Sequence, residues 1–313
     1  MGGLRRLTHR SYTQCPAGVL NFGGLVETND QARFSVLPVP YDLTTTYISG
    51  TRNGPLAIIE ASTQMELYDV ELGKEPYLAG IETLRLIEPT VAGPREMIEK
   101  VNACSKDILK RKKIPVMLGG EHSLTLGLVE ALKGFYPRLS VLQLDAHADM
   151  RDRYQDSPFS HASVARRIHE ICPMVQVGIR SLSREEAGFL KRGKKKNPVR
   201  TFYAHEMAGA GMPIDEVLDG LTDQVFITID LDVFDPSIMP GTGTPEPGGL
   251  LWHEVTRFLR KVAAEKRVKG FDIMELCPIP GNVSSDFTAA RLTYKIMGYI
   301  NESLDGQGLA PRQ

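Results

Sequence analysis

Three apolar runs of strand length each end in a cluster of carboxylates and imidazoles, and this repeated pattern most restricts what the chain can fold into. The segments are MLGGEHSLTLG around His122, VLQLDAHADMRD (141–152) and FITIDLDVFDPSIMPGTGTPEPGG (226–249). Runs such as LSVLQL and VFITI lack the alternation of a half-wetted strand and read as strands buried on both faces. Similar runs are placed near 33–39, 114–118, 139–144, 174–179, 199–203, 224–230 and 268–274, with helix patterns between them. One helix is expected over 94–112, where Met97, Ile98, Val101, Cys104, Ile108 and Leu109 share a face. Gly93-Pro94 marks its start, and the lysines and arginine of 110–113 suit its end. Strands alternating with helices predict an α/β fold, a three-layer αβα sandwich around a mostly parallel central sheet. In such sheets ligand sites lie beyond the carboxyl ends of the strands, where the clusters fall.

The clusters contribute His122, then Asp145, His147 and Asp149, then Asp230 and Asp232. In an extended segment, side chains at i, i+2 and i+4 share a face, so each cluster aims its ligands together. Only Ala146 and Ala148 separate the members of DAHAD, leaving the backbone free to approach an ion. A lone DxD is common in surface turns, but buried carboxylates at three successive strand ends are costly unless paired or coordinated. Four carboxylates and two imidazoles can hold two divalent ions, and a set without thiolate favours a harder ion such as Mn²⁺ over structural zinc. Two ions about 3.5–4 Å apart can share a hydroxide and lower its pKa toward neutrality, which predicts a hydrolase.

Length and composition set the limits. A chain of 313 residues without linker, repeat or low-complexity tract is expected to form one domain over 1–313, with residues 1–30 an N-terminal extension, partly irregular. Apolar content of 42% and charged content of 24% are those of a globular protein, and a net charge of −1 gives no reason to expect nucleic acid or a membrane surface. Cys15, Cys104, Cys172 and Cys277 show no paired spacing, which points to reduced thiols in the cytoplasm; Cys277, two residues past Glu275, is assigned to packing. No apolar stretch reaches membrane-span length, and no apolar core follows the N-terminal arginines as a secretory signal requires. The basic run KRGKKKNPVR (191–200) reads as a solvated loop, and His9, His169, His205 and His253 as surface or packing residues.

At these residues the chain resembles the ureohydrolase family of arginases and agmatinases. Matching motifs run from FSVLPVPYDLTTTYISGTRNGPLAIIEASTQMELYD (34–69) through FDIMELCP (271–278), with GGEHSLTLG, DAHAD, SHAS and DLDVFDPS…PGTGTPEPGG in the family's order. The early segment, with GTRNGP before a helix and ELYD at its end, is closer to agmatinases than to arginases. The resemblance implies an arginase-like fold, two Mn²⁺ per chain (a set that also accepts Ni²⁺ or Co²⁺) and a homotrimer or homohexamer. It implies His122 and Asp149 on one ion, His147 and Asp232 on the other, and Asp145 and Asp230 bridging them, with Asp149 also orienting the hydroxide. His161 matches the family's proton-relay histidine, Glu275 the carboxylate that pairs with a substrate guanidinium, and Thr244 a residue contacting the guanidinium region. Read without the family, His161 at a helix start is equally a capping-region residue, and Glu275 equally a partner for a local arginine.

A guanidinium is a poor electrophile, so its hydrolysis needs a strong nucleophile held in line, a carboxylate on the planar cation and a proton for the departing amine. The expected reaction is agmatine to urea and putrescine, in polyamine biosynthesis. Guanidinobutyrate, guanidine or arginine are the alternative substrates, and a catalytically silent metal- or polyamine-binding homologue is the alternative of another class. Single-zinc amide hydrolysis of the deacetylase type is disfavoured by the second ligand set. Tail recognition is expected from the loop 151–163: Asp152 or Asp156 for an ammonium, Arg151 and Arg153 for a carboxylate. That loop lacks the asparagine-containing pattern with which arginases hold the amino-acid end.

Overall fold

The computed structural model describes residues 20–25, 31–193 and 196–306. Most of the expected extension over 1–30, together with His9 and Cys15, lies outside them, as do residues 194–195 of the basic run. Eight strands form one sheet: β1 (Phe34–Val39), β2 (Ile81–Thr83), β3 (Ile114–Gly119), β4 (Leu139–Leu144), β5 (Met174–Ile179), β6 (Val199–Tyr203), β7 (Gln224–Asp230) and β8 (Arg267–Met274). Every pairing is parallel, in the order β2-β1-β3-β8-β7-β4-β5-β6. The arginase-like αβα expectation is met.

The three layers follow from which way successive strand residues point. Phe34 and Val36 of β1 enter one apolar cluster and Leu37 and Val39 the other; Leu142 and Leu144 of β4 oppose Leu139 and Val141 in the same way. One face is covered by α1 (Gly54–Ser62), α8 (Trp252–Glu265) and α9 (Ser284–Gly306), and the other by α2 (Pro94–Lys110), α3 (Thr125–Phe135) and α4 (Val164–Ile171). With both faces covered, near-continuous apolar runs are what the central strands require, so those runs were readable beforehand.

Three details depart from the sequence reading. The short edge strand β2 went unseen because three residues, IET, show no period; its buried Glu82 is paired with Lys113 at 2.6 Å. Helix α2 ends at Lys110 rather than 112, since Lys112 takes a left-handed φ of 60° to turn the chain into β3. The basic run 191–200 is only in part a loop: its first two residues end a helix (Arg184–Arg192) and its last two begin β6.

The strand order brings the carboxyl ends of β3, β8, β7 and β4 side by side at the centre of the sheet. These are the strands from which His122, Glu275, Asp230 with Asp232, and Asp145 emerge. Gly120 makes this convergence feasible. Its N–H bonds Val39 O at 3.0 Å and its carbonyl accepts Glu275 N–H at 2.9 Å, and a Cβ there would stand 2.0 Å from Tyr41 O. Gly120→Ala should therefore cost about 3 kcal/mol of stability, the upper range for overpacking against rigid backbone. Chemical denaturation checks this, and an unchanged midpoint would contradict the close approach.

Candidate metal centre

Each predicted ligand leaves its strand at a turn that aims it inward. A short 3₁₀ turn (His122–Leu124) follows β3, and another (Leu231–Val233) follows β7, capped by Asp230 Oδ1 accepting Asp232 N–H at 3.0 Å. Asp145 stands at the exit of β4, where its Oδ1 accepts His147 N–H at 2.6 Å. Asp149 and Glu275 adopt left-handed φ of 51° and 63°. Both are buried, unlike exposed Lys112 in its turn, so here the packed surroundings hold the strained backbone that points the two carboxylates into the cleft.

All six predicted ligands come together. His122 Nδ1 lies 3.2 Å from Asp145 Oδ2, 3.3 Å from Asp149 Oδ2 and 3.3 Å from Asp230 Oδ2. His147 Nδ1 lies 2.8 Å from Asp232 Oδ2 and 3.8 Å from Asp145 Oδ1. Five of the six resolve into two ligand groups, His122–Asp145–Asp149 and Asp145–His147–Asp232, which share Asp145, its Oδ2 facing His122 and its Oδ1 facing His147; Asp230, the other expected bridge, stands beside His122 and falls in neither group. Among the described buried atoms without a hydrogen-bond partner is His122 Nδ1, which faces three carboxylates. Its Nε2 lies 2.8 Å from Thr228 Oγ1, so a neutral ring donating there turns the Nδ1 lone pair on the carboxylates, as an ion requires.

The electrostatics say the same. Burial first, then the charges of Asp149 and Asp232, push Asp145 from an ordinary 3.8 up to about 7, and burial with Asp232 and Asp145 raises Asp230 as well. Burial opposes a charge on His147, yet Asp232, Asp145 and Asp149 raise it to about 11. Negative charge thus gathers where side chains alone do not balance it, and divalent cations would. The residues present fit two such ions.

His161, Thr244 and Glu275 line the same cavity of about 280 Å³, with Thr45, Thr46, Arg151, Tyr154 and Glu186. Glu275 Oε1 accepts the His122 N–H at 2.6 Å; burial above all, with Glu121 nearby, pushes its carboxyl well above the usual range. A cationic partner in the cavity would reverse that shift. Burial also lowers His161 below an ordinary histidine. The aspartates considered for the substrate tail do not line the cavity. Asp152 is bonded to Arg167 at 2.7 Å, and the Asp156 carbonyl takes a bond from Arg153 at 3.0 Å. Cys277 packs on the Ser49–Gly50 backbone, as expected.

The sequence reading overlooked the residues that hold the ligands. Gln143 Nε2 donates to Asp145 Oδ2 at 2.7 Å, and Gln143 Oε1 accepts from Gln176 Nε2 at 2.8 Å, which also donates to Ala148 O. The Arg180 guanidinium donates to six carbonyls, those of Gly178, Asp232, Val233, Phe234, Glu246 and Pro247, at 2.6–3.3 Å, tying the loop that bears Thr244 to the ligand turn. A signal was available: Gln143, Gln176 and Thr228 are polar residues inside otherwise apolar strands, and such residues need buried partners.

A family model described as the arginase family matches residues 32–298. The chain belongs to the arginase family. It is 43% identical over 277 residues to the N(1)-aminopropylagmatine ureohydrolase of Synechocystis, covering 86% of this chain and 89% of that one. It is 41% identical over 281 residues to the enzyme of the same name from a strain of Thermus thermophilus, covering 89% and 94%. The crystal structure of agmatine ureohydrolase from Thermoplasma volcanium superposes with a TM-score of 0.82 at 29% identity, over 92% of this chain and 96% of the other. This arginase-family chain is a ureohydrolase, a hydrolase of guanidino compounds, with a histidine–aspartate metal-binding cluster. Among the described residues, no helix is long and apolar enough to cross a membrane.

Proposed function

We propose that the chain releases urea from a linear guanidino polyamine, with N(1)-aminopropylagmatine the preferred substrate and agmatine the second, at a centre of two Mn²⁺ ions. The observation that supports it best is the sharing of buried Asp145 by two ligand groups whose His122, His147, Asp149 and Asp232 line one cavity with Glu275. The two relatives at 41–43% identity bear the aminopropylagmatine name, whereas the agmatinase of Pyrococcus horikoshii stands at 36%. Hydrolysis of the longer substrate gives urea and spermidine; hydrolysis of agmatine gives urea and putrescine. The carboxylate-rich, thiolate-free ligand set supports manganese over zinc.

Two divalent ions bound by the six ligands would supply a nucleophilic hydroxide at neutral pH, which the guanidinium carbon demands. The chain's own groups do the rest. Glu275, fixed by the His122 N–H, accepts from the planar cation and sets the carbon in line. Pairing with that cation returns its buried carboxyl to the ionised form. Asp149 orients the attacking oxygen by accepting its proton in a hydrogen bond. His161, kept largely neutral by burial, takes up a proton from solvent at its free ring nitrogen and passes it to the departing amine nitrogen as the C–N bond breaks.

The cavity wall bears on the tail. Arg151 lies over the Tyr154 ring at 5.2 Å with its Nε 3.9 Å from Glu186, so its charge is partly matched. A polycationic tail gains from Glu186 and loses to Arg151, so Arg151→Gln should lower KM for N(1)-aminopropylagmatine by about threefold to tenfold, on the order of 1 kcal/mol. Urea release from manganese-loaded protein, measured on N(1)-aminopropylagmatine, agmatine, arginine, 4-guanidinobutyrate and guanidine, tests the assignment. A higher kcat/KM on N(1)-aminopropylagmatine than on agmatine is expected. Preference for a carboxylate-bearing member would overturn the polyamine reading, and preference for agmatine would leave the second reading standing.

A further inference from the structure

A hydrogen-bond chain that starts at a buried carboxyl reaches the half-buried His161 through Thr44. Glu121, adjacent to His122 but turned from the ligand groups, is fully buried. Its Oε2 accepts the Thr44 N–H at 2.5 Å, and its Oε1 accepts the hydroxyls of Thr44, at 2.8 Å, and Ser123. Thr44 Oγ1 in turn accepts the His161 N–H at 3.2 Å and stands 3.3 Å from His161 Nδ1. Thr46 Oγ1 lies 3.5 Å from Nε2.

The proton count decides the ring's tautomer. A threonine hydroxyl has one proton and two acceptor sites. The Glu121 oxygen at 2.8 Å outcompetes a ring nitrogen at 3.3 Å for that proton, because the shorter contact is the stronger bond and the Thr44 N–H and Ser123 hydroxyl, donated to the same carboxyl, hold it as an acceptor. The oxygen that remains can only accept at Nδ1, so Nδ1 must bear the hydrogen. Nε2 then keeps its lone pair, and the long contact to Thr46 leaves it available for proton exchange.

We infer that Thr44, anchored by Glu121, is a positioning residue that holds neutral His161 as the Nδ1–H tautomer, so that proton traffic at this histidine passes through Nε2. This role deepens the proposed guanidino hydrolysis, but the tautomer itself can be observed without turnover.

Protein labelled with ¹³C,¹⁵N-histidine and loaded with Zn²⁺, which is diamagnetic, is examined by solid-state NMR, with His161 assigned by its loss in His161→Asn. The Nδ1–H tautomer is expected in the wild type and in Thr44→Ser, and a mixed or reversed tautomer in Thr44→Val. An Nε2–H ring in the wild type overturns the inference whether or not the protein releases urea, and an unchanged ring in Thr44→Val removes Thr44 from it. On the best guanidino substrate, Thr44→Val should lower kcat by about tenfold, a fraction of the roughly 10²–10⁴ of general acid–base catalysis, with KM and metal content unchanged and Thr44→Ser restoring the rate. A fall in metal content or a rise in KM shared by both variants would assign Thr44 a merely structural role. Absence of urea from every substrate, with the tautomer as expected, would count against the proposed function alone.

Discussion

Asp145→Asn should release bound ions and lower kcat by at least about 10³-fold, since removal of a mere outer partner of a metal ligand already costs roughly 10–100-fold. Two properties make this position more sensitive than its neighbours. Its two oxygens serve both ligand groups, so losing one charge weakens both at once. The amide is also wrong for its surroundings. Gln143 Nε2 donates to one oxygen and His147 N–H to the other, so either orientation of asparagine sets its NH₂ against a donor. Gln143 cannot flip to help, because its Oε1 already accepts from Gln176, whose Nε2 also serves Ala148 O. A buried donor left without an acceptor costs about 1–3 kcal/mol, so the variant should unfold earlier as well. Metal analysis by mass spectrometry, with urea release on the same sample, checks both effects. Two ions per chain and a wild-type rate in Asp145→Asn would show that the two groups do not depend on this carboxylate.

Removing the ions should lower the thermal midpoint by roughly 10 °C at pH 8, taking about 4 kcal/mol for a site filled at a thousand times its Kd and a few degrees per kcal/mol. The loss should be smaller at pH 5. Without ions Asp145 has a folded value near 7 against an ordinary 3.8, so between those values the folded chain binds a proton that the unfolded chain does not. That contribution is present at the acid end and disappears as pH rises through about 7. His147, raised to about 11, contributes fully below its ordinary 6.5 and progressively less above it, which has the same sign over this range. Asp232 is lowered, and its contribution is already complete above the ordinary carboxylate range. Ions replace those protons, so the loaded protein should hold its midpoint where the stripped protein loses it. Scanning calorimetry of both forms from pH 5 to 8 gives the difference directly. A gap independent of pH would mean that the clustered carboxylates do not carry the charge described.

Much of the fold was legible because its strands obey one strong condition. Six of the eight are buried along most of their length and announced themselves as apolar runs, while β6 (VRTFY), only partly buried at one sheet edge, still fell on the expected run 199–203. The eighth, β2, has three residues and lies at the sheet edge, where neither length nor period gives a signal. The candidate ligands were legible for a related reason. Carboxylates directly after buried strands are too costly to keep without a partner, so DAHAD and DLD stood out before any contact was known. Recognition of the substrate tail was not legible in this way. Asp152, chosen for its place in the loop, proves to be spent on Arg167, and Glu186, which does line the cavity, sits thirty-five residues from the loop's first residue, on the helix that follows β5.

Sequence alone thus determined the layers, the strand ends and the identity of the six candidate ligands, because burial and ligand chemistry act over a few neighbouring residues. Tertiary structure decided what depends on chain crossings. The order β3-β8-β7-β4 joins residues as distant as His122 and Glu275. It also decided that Asp145 is shared by two groups, that Gln143 and Gln176 brace it, and that Thr44 meets both Glu121 and His161. Hydrogen bonds are directional and short, and partners a hundred residues apart leave no spacing to read.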